Sequence, residues 1–299
     1  MIGAIIQNKL NQQIAEFASS WVDIKTSFDY VYEAAKDFSK ETKSCHNFQT
    51  ITTVANQAAY TLSPDFLEVI TTDDHNHGVV MYTNASGAVS WLDWESYSDC
   101  LQNQSPQGTP SSYAITDAPL ITRITGTASA GSTAVGGEST LTSVTTLTSV
   151  SVGDQVVNLT QTFYGVVIVS GAVPTTAMFN LANRGGAYAN WTNADSFIIS
   201  PSPRYQIVLD PPPNTTGETV TVTYLAKPLP VYSDFGQYPF ATGYEDAIIK
   251  YAAWMYKYRD SKPQLADPLY MVYDRMLRKA KNVNRKAVGV VGYRVNWTK

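Results

Sequence analysis

The stretch "AAYTLSPDFLEVITTDDHNHG" (residues 58–78) decides how the chain is read. It opens as a short β-type run and kinks at Ser63-Pro64-Asp65. It resumes as "FLEVITT" and ends in two acids, two histidines and a glycine. Two readings compete. In the first, Asp73, Asp74, His75 and His77 are a metal-ligand cluster, since His-x-His beside carboxylates can hold a transition metal. In the second, the stretch is strand, kink and strand, closed by a polar loop. One loop seldom converges four ligands, and the only further histidine is His46. The polar loop is therefore the expectation, with no metal and no cofactor.

The surroundings agree with a structural reading. The 299 residues are 44% hydrophobic, enough for one large domain or two ordinary ones. Only 15% are charged, and 19 are tyrosines. Neutral, Tyr-rich surfaces suit broad protein contacts, because Tyr offers area and a hydroxyl at low entropy cost. No apolar run reaches the ~20 residues of a membrane span, and "MIGAIIQNKLNQQ" does not have the pattern of a signal peptide. Cys45 and Cys100 lack zinc or redox spacing and are expected as free thiols.

Charge is unevenly placed. From Arg275 to the end there are eight basic residues and no acid, whereas the rest of the chain nets −12. A basic end on an acidic body implies a second surface for it to meet, either acidic protein or nucleic acid.

Along the chain, apolar steps of three and four predict helices over residues 8–43. "FQTITTVANQAAYTL" predicts a hairpin turning at Asn56-Gln57. "SWLDWESYSDCLQNQ" predicts a short helix capped by Ser90 or Asp93 and anchored by Trp91, Trp94 and Leu101. Residues 122–200 lose helical periodicity and become Gly/Ser/Thr-rich with short β runs, as in a small barrel or sandwich. "RYQIVLDPPPNTTGETVTVTYLA" predicts a second hairpin, and two amphipathic runs after Gly243 predict an αα-hairpin. No Gly-x-Ser-x-Gly, phosphate loop or dinucleotide fingerprint is present, so the chain is expected not to be an enzyme.

The order of these pieces resembles the head-to-tail adaptor (connector) proteins of tailed bacteriophages, of the short-tailed-phage type. "AAYTLSPDFLEV" is similar to that family's Tyr-x-Leu-Pro-x-Asp-Phe motif, except that Ser63 puts Pro64 one place late. "GTPSSYAI" is similar to its Gly-x-Pro-x-x-Tyr step, and "PSPRYQIVLDPPPNTTGETVTVTYLAKPLPV" looks like its Pro-rich segment. The resemblance covers about 1–120 and 201–299. Within the remainder, the Val152-Gly153-Asp154 start and Trp191-x-x-x-Asp195 end look like a small β-module of phage structural proteins.

The resulting expectation is an α+β chain. A helical bundle, made of N-terminal helices and a C-terminal helix hairpin, joins an antiparallel β region. Residues 1–121 and 201–286 form the core, 122–200 an inserted all-β barrel or sandwich, and 287–299 an extended tail. The resemblance implies a virion protein at the head–tail junction, assembled in the host cytoplasm as a homo-oligomeric ring of twelve copies. It would join the portal protein to a tail nozzle or tail tube, with no membrane partner. The expected portal or subunit interface is Arg285, Lys286, Val291, Tyr293, Arg294, Val295 and Trp297, whose apolar members from Val291 on fall at two-residue steps. Arg275, Arg278, Lys279 and Lys281 are expected to face packaged DNA or an acidic surface. The rival is a carbohydrate- or receptor-binding tail protein, which requires exposed Tyr/Trp rings on the β-module.

Overall fold

A computed structural model describes residues 3–14, 24–70, 79–102, 106–119, 121–180, 188–238, 240, 244–259 and 263–287. The chain opens with α1 (Gly3–Ile14) and α2 (Ile24–Thr42), followed by β1 (His46–Thr52), β2 (Ala59–Thr61), β3 (Phe66–Val69), β4 (Val80–Thr83), β5 (Val89–Trp91) and β6 (Asp93–Trp94). Next come α3 (Tyr97–Gln102), β7 (Ser112–Asp117), β8 (Ile124–Thr127), β9 (Glu138–Thr140), β10 (Gln155–Asn158), β11 (Phe163–Val169), β12 (Thr175–Asn180) and β13 (Ser196–Ser200). The last elements are β14 (Tyr205–Asp210), β15 (Thr219–Ala226), α4 (Glu245–Arg259) and α5 (Pro263–Ala287).

The molecule is mostly β, and this overturns the expected helical bundle with an appended β region. Its strands form three largely antiparallel sheets, in the orders β1-β15-β4-β5 (with β3 also on β15), β8-β13-β10-β11-β12-β9, and β2-β14-β7-β6. The N-terminal helices are no bundle of their own. Both α1 and α2 lean on α4 rather than on each other. Their common core is Leu10, Ile14, Phe38, Ile248, Ala252 and Tyr273, with their neighbours.

Both expected hairpins are also wrong, for one physical reason. β1 pairs with β15 in the first sheet, but β2 pairs with β14 in the third. β14 pairs with β7, and β15 with β1, β3 and β4. Each presumed hairpin therefore crosses between two sheets instead of closing within one. The apolar face of each strand meets the opposite sheet, where Tyr60, Tyr113, Ile207 and Leu209 pack against Ile51, Tyr82, Val220, Val222 and Tyr224. Alternation identifies a strand with one buried face, but not which strand lies beside it.

The segment from β2 to β3 makes the same crossing. Leu62 N–H bonds Tyr205 O and ends β2's sheet, and Phe66 N–H bonds Ser63 O at 3.0 Å to close the turn. Asp65 then anchors the kink. It is 8% exposed and accepts from Tyr224 Oη at 2.8 Å and Asn47 Nδ2 at 2.9 Å. Beyond it, β3 and β4 lie one after the other along the same edge of β15, with residues 71–78 between them.

The third core lies wholly between Ile124 and Ser200. The outer strands β8 and β9 approach each other through the Ala128–Ser143 bridge and Ser129 N–H to Thr142 O, so the sheet curls on itself. Trp191, Phe197, Val156 and Met178 fill it, and Trp191 Nε1 donates to Thr176 Oγ1 at 2.9 Å. The two acids of the module motifs are buried. Asp195 accepts from Asn158 Nδ2 and Thr192 N at 2.8 Å each. Asp154 accepts from Ser151 N and Ser202 N, and pairs with Arg204 Nη2 at 3.2 Å.

This sheet is docked on the helices as well as tethered. Phe179 and Tyr188 pack with Phe28 of α2 and Tyr232. Tyr188 Oη donates to Asp234, and Ser233 Oγ to Glu138. Gly136 and Gly137 are required at this seam. Both have positive φ, and a Cβ would meet Phe235 at 2.4 Å and Tyr188 at 2.3 Å respectively.

Buried phenols make the fold sensitive to base. Burial holds Tyr113 up at about 12. Burial, and then a hydrogen bond to a carboxylate, push Tyr82, Tyr188, Tyr224, Tyr232 and Tyr273 up further. In the unfolded chain these groups ionise near pH ~10. A raised folded value means that the unfolded state releases protons first, so stability is complete below pH ~10 and falls as pH rises through the folded values. Exposed tyrosines such as Tyr258 are expected to ionise first, and a second rise in phenolate absorbance is expected at higher pH in step with loss of near-ultraviolet circular dichroism. A separate, earlier ionisation of all the tyrosines would contradict this burial.

Candidate interaction surfaces

The first candidate, Asp73, Asp74, His75 and His77, lies outside the described residues. His46 starts β1 and is exposed. Among the described residues no cluster of His, Cys, Asp and Glu is placed to hold a metal. Replacing His75 and His77 with Asn is expected to change thermal stability by less than ~1 kcal/mol, as for surface sites. A stoichiometric metal in purified protein, lost in that variant, would show the cluster to be a ligand set.

Cys45 and Cys100 are free thiols, each buried and in a separate apolar cluster. Burial, helped by nearby acids, raises both above the usual thiol value. Neither is activated as a nucleophile.

A cleft of about 360 Å³ opens between the two core sheets and the β8–β13 sheet, lined by Asn47, Phe48, Gln49, Pro64, Ser151 and Arg204 among others. Most of its polar groups are already engaged, Arg204 Nε excepted. Gln49 bonds Thr61 O and Ser63 N, Asn47 bonds Asp65 and Phe48 N, and the Arg204 guanidinium faces Asp154. These bonds join the β1, β2 and β8–β13 regions, so the cleft is a structural joint.

The basic end divides into two parts. Arg275, Arg278 and Lys279 project from α5 into solvent, although Arg278 is tied to Asp274 at 2.7 Å. Lys281 is half-buried and pairs with Glu41 of α2, so it clamps two helices and is not free for DNA. Arg285 and Lys286 belong to the last turn of α5. Val291, Tyr293, Arg294, Val295 and Trp297 lie outside the described residues.

Two groups of surface residues escaped the sequence reading. Trp91 and Trp94 were expected to anchor a helix. Instead they end β5 and β6 at the sheet margins and are 58% and 60% exposed. The helix there is the short α3, with Ser96 Oγ receiving Asp99 N–H as its cap. The available signal was the two-residue step from Val89 to Trp91, which fits a strand. The second group is the end of the helix pair, where Tyr258, Leu265, Tyr270 and Met271 are exposed beside a stack of Tyr251, Trp254 and Tyr273. In the β8–β13 sheet, by contrast, every described aromatic ring is buried or half-buried, with Phe197, Trp191 and Phe179 the most enclosed. Among the described residues no helix is long and apolar enough to cross a membrane.

Residues 3–137 match the family model described as SU10 adaptor protein. The match spans α1 through the start of the β8–β13 sheet and includes the kink at Ser63-Pro64-Asp65. This likeness supports a phage adaptor, a structural component of the virion. No curated protein matches the chain.

Proposed function

We propose that the chain is a head-to-tail adaptor, assembled as a ring between the capsid portal and the tail of a bacteriophage. The observation that carries this reading is the match of residues 3–137 to the SU10 adaptor family model. The physical character of the chain agrees with it: polar groups spent on internal joints, and exposed aromatic residues at sheet margins and at a helix-hairpin end. One end of the ring meets the portal, and the other a tail nozzle or tail tube. Copies bind side by side, twelve by the symmetry of portals. Residues 285–299 reach the portal or a neighbouring copy, and Arg275 and Lys279 are the cations left to face DNA or an acidic surface. A receptor-binding role through the β-module is not favoured, because none of the module's described rings is exposed: Trp191 and Phe197 fill its core, and Phe179 and Tyr188 pack with Phe28 and Tyr232.

The test is to mix the purified chain with the portal of its phage and measure particle mass. Rings bound to portal are expected. A stable trimer that ignores portal would point to a receptor-binding protein.

In this reading residues 122–200 are an insertion into the adaptor core. Joining Ile121 to Pro201 through a short Gly-Ser link is expected to leave a folded protein. It should be less stable by about 2–4 kcal/mol, because Phe28 and Tyr232 lose the cover of Phe179 and Tyr188. Only unfolded product would make those residues integral to the core.

A further inference from the structure

β5 and β6 lie at the same margin of the core sandwich, one at the edge of each sheet, joined by the buried Leu92. Leu92 N–H bonds Val80 O and Asn84 N–H bonds Ala88 O, so even-numbered residues face β4. The backbone N–H and C=O groups of Val89 and Trp91 therefore turn outward along an edge that no described strand pairs. Val89, Trp91, Trp94 and Tyr97 are all exposed there. An edge with open backbone groups and apolar side chains is a template for another strand.

The charge of this margin is one-sided. Between Val79 and Thr122 there are four acids and no Lys, Arg or His. Glu95 and Asp99 have no ion-pair partner among the described residues; Asp99 is exposed, while Glu95 is half-buried with one carboxylate oxygen enclosed and without a hydrogen-bond donor. The chain itself supplies a segment of complementary chemistry. Residues 285–299 carry Arg285, Lys286, Arg294 and Lys299 with no acid, and Val291, Tyr293, Val295 and Trp297 at strand spacing.

We infer that the Val89–Tyr97 margin is the acceptor for the C-terminal segment of a second copy, which adds to β5 as a strand with its basic residues over Glu95 and Asp99. This rests on the adaptor reading above and names the surface the tail meets. Each copy carries one donor segment and one acceptor edge, a head-to-tail contact that closes a ring when the rotation per copy allows. Trp91 and Trp94 serve as aromatic anchors and the acids set orientation.

The test uses the full chain with a photoreactive benzoylphenylalanine at Trp297. Equal amounts of 14N and 15N protein are mixed under assembling conditions, illuminated, digested and read by mass spectrometry. Cross-links into residues 89–97, joining chains of different isotope, are expected. Trp91→Glu with Trp94→Glu should reduce them at least tenfold while the melting temperature is kept. Rings that form without this cross-link, or cross-links confined to single chains, overturn the inference and leave the adaptor reading standing. Protein that stays monomeric with and without portal overturns both.

Discussion

Asp154→Ala is expected to destabilise the protein by about 3–5 kcal/mol, the cost of stranding a buried charge. Asp154 is fully buried, and the Arg204 side chain is 10% exposed, with Nη2 at 3.2 and 3.3 Å from the two carboxylate oxygens. The same carboxylate receives Ser151 N–H and Ser202 N–H at 2.9 Å each. Removing it leaves a guanidinium and two backbone donors unpaired at the point where β13 hands the chain to β14. Arg204 Nε already lacks a partner, so no spare acceptor is at hand. Urea unfolding followed by circular dichroism reads the loss. Asp154→Ala combined with Arg204→Met should regain part of it, because the uncompensated charge goes with the arginine. A loss below ~1 kcal/mol in the single variant would mean that the pair is solvated and the joint loose.

A chain ending at Asn284 is expected to keep its fold and to fail in assembly altogether. The helix contacts that hold α5 lie before that point: Tyr273 Oη donates to Asp37 at 2.6 Å, Lys281 pairs with Glu41, and Ala280 is fully buried. Circular dichroism should therefore be unchanged. Only the last turn of α5 and the basic residues after it, with strand spacing from Val291, are lost, and with them incorporation into particles. Added salt should weaken assembly of the full chain in the same direction, since exposed charges are screened beyond about 10 Å at 0.1 M. Normal rings from the truncated chain would remove any docking role for the segment. Normal rings that then leak packaged DNA would give it a DNA contact instead.

Some of the molecule was legible in the sequence because its signals are local. The steps of Ile248, Ile249, Ala252 and Ala253 and of Tyr273 and Ala280 identify α4 and α5, and these residues do form one core. A helix satisfies its backbone within itself, so periodicity alone suffices. Among the described residues, the strands β8 to β13 that follow the change in composition after Ile121 pair with one another. Other features are set by partners distant in sequence. Whether β2 turns back on β1 or crosses to β14 depends on residues some 150 positions away, as does the pairing of Asp65 with Tyr224. The same holds for the exposure of Trp91 and Trp94: a tryptophan is apolar in any list of residues, but only the position of its strand at a sheet margin leaves it uncovered. Local pattern determined that these segments are helices and half-buried strands. Tertiary structure decided which sheet each strand joins, because β pairing is satisfied between segments and carries no local mark of its partner.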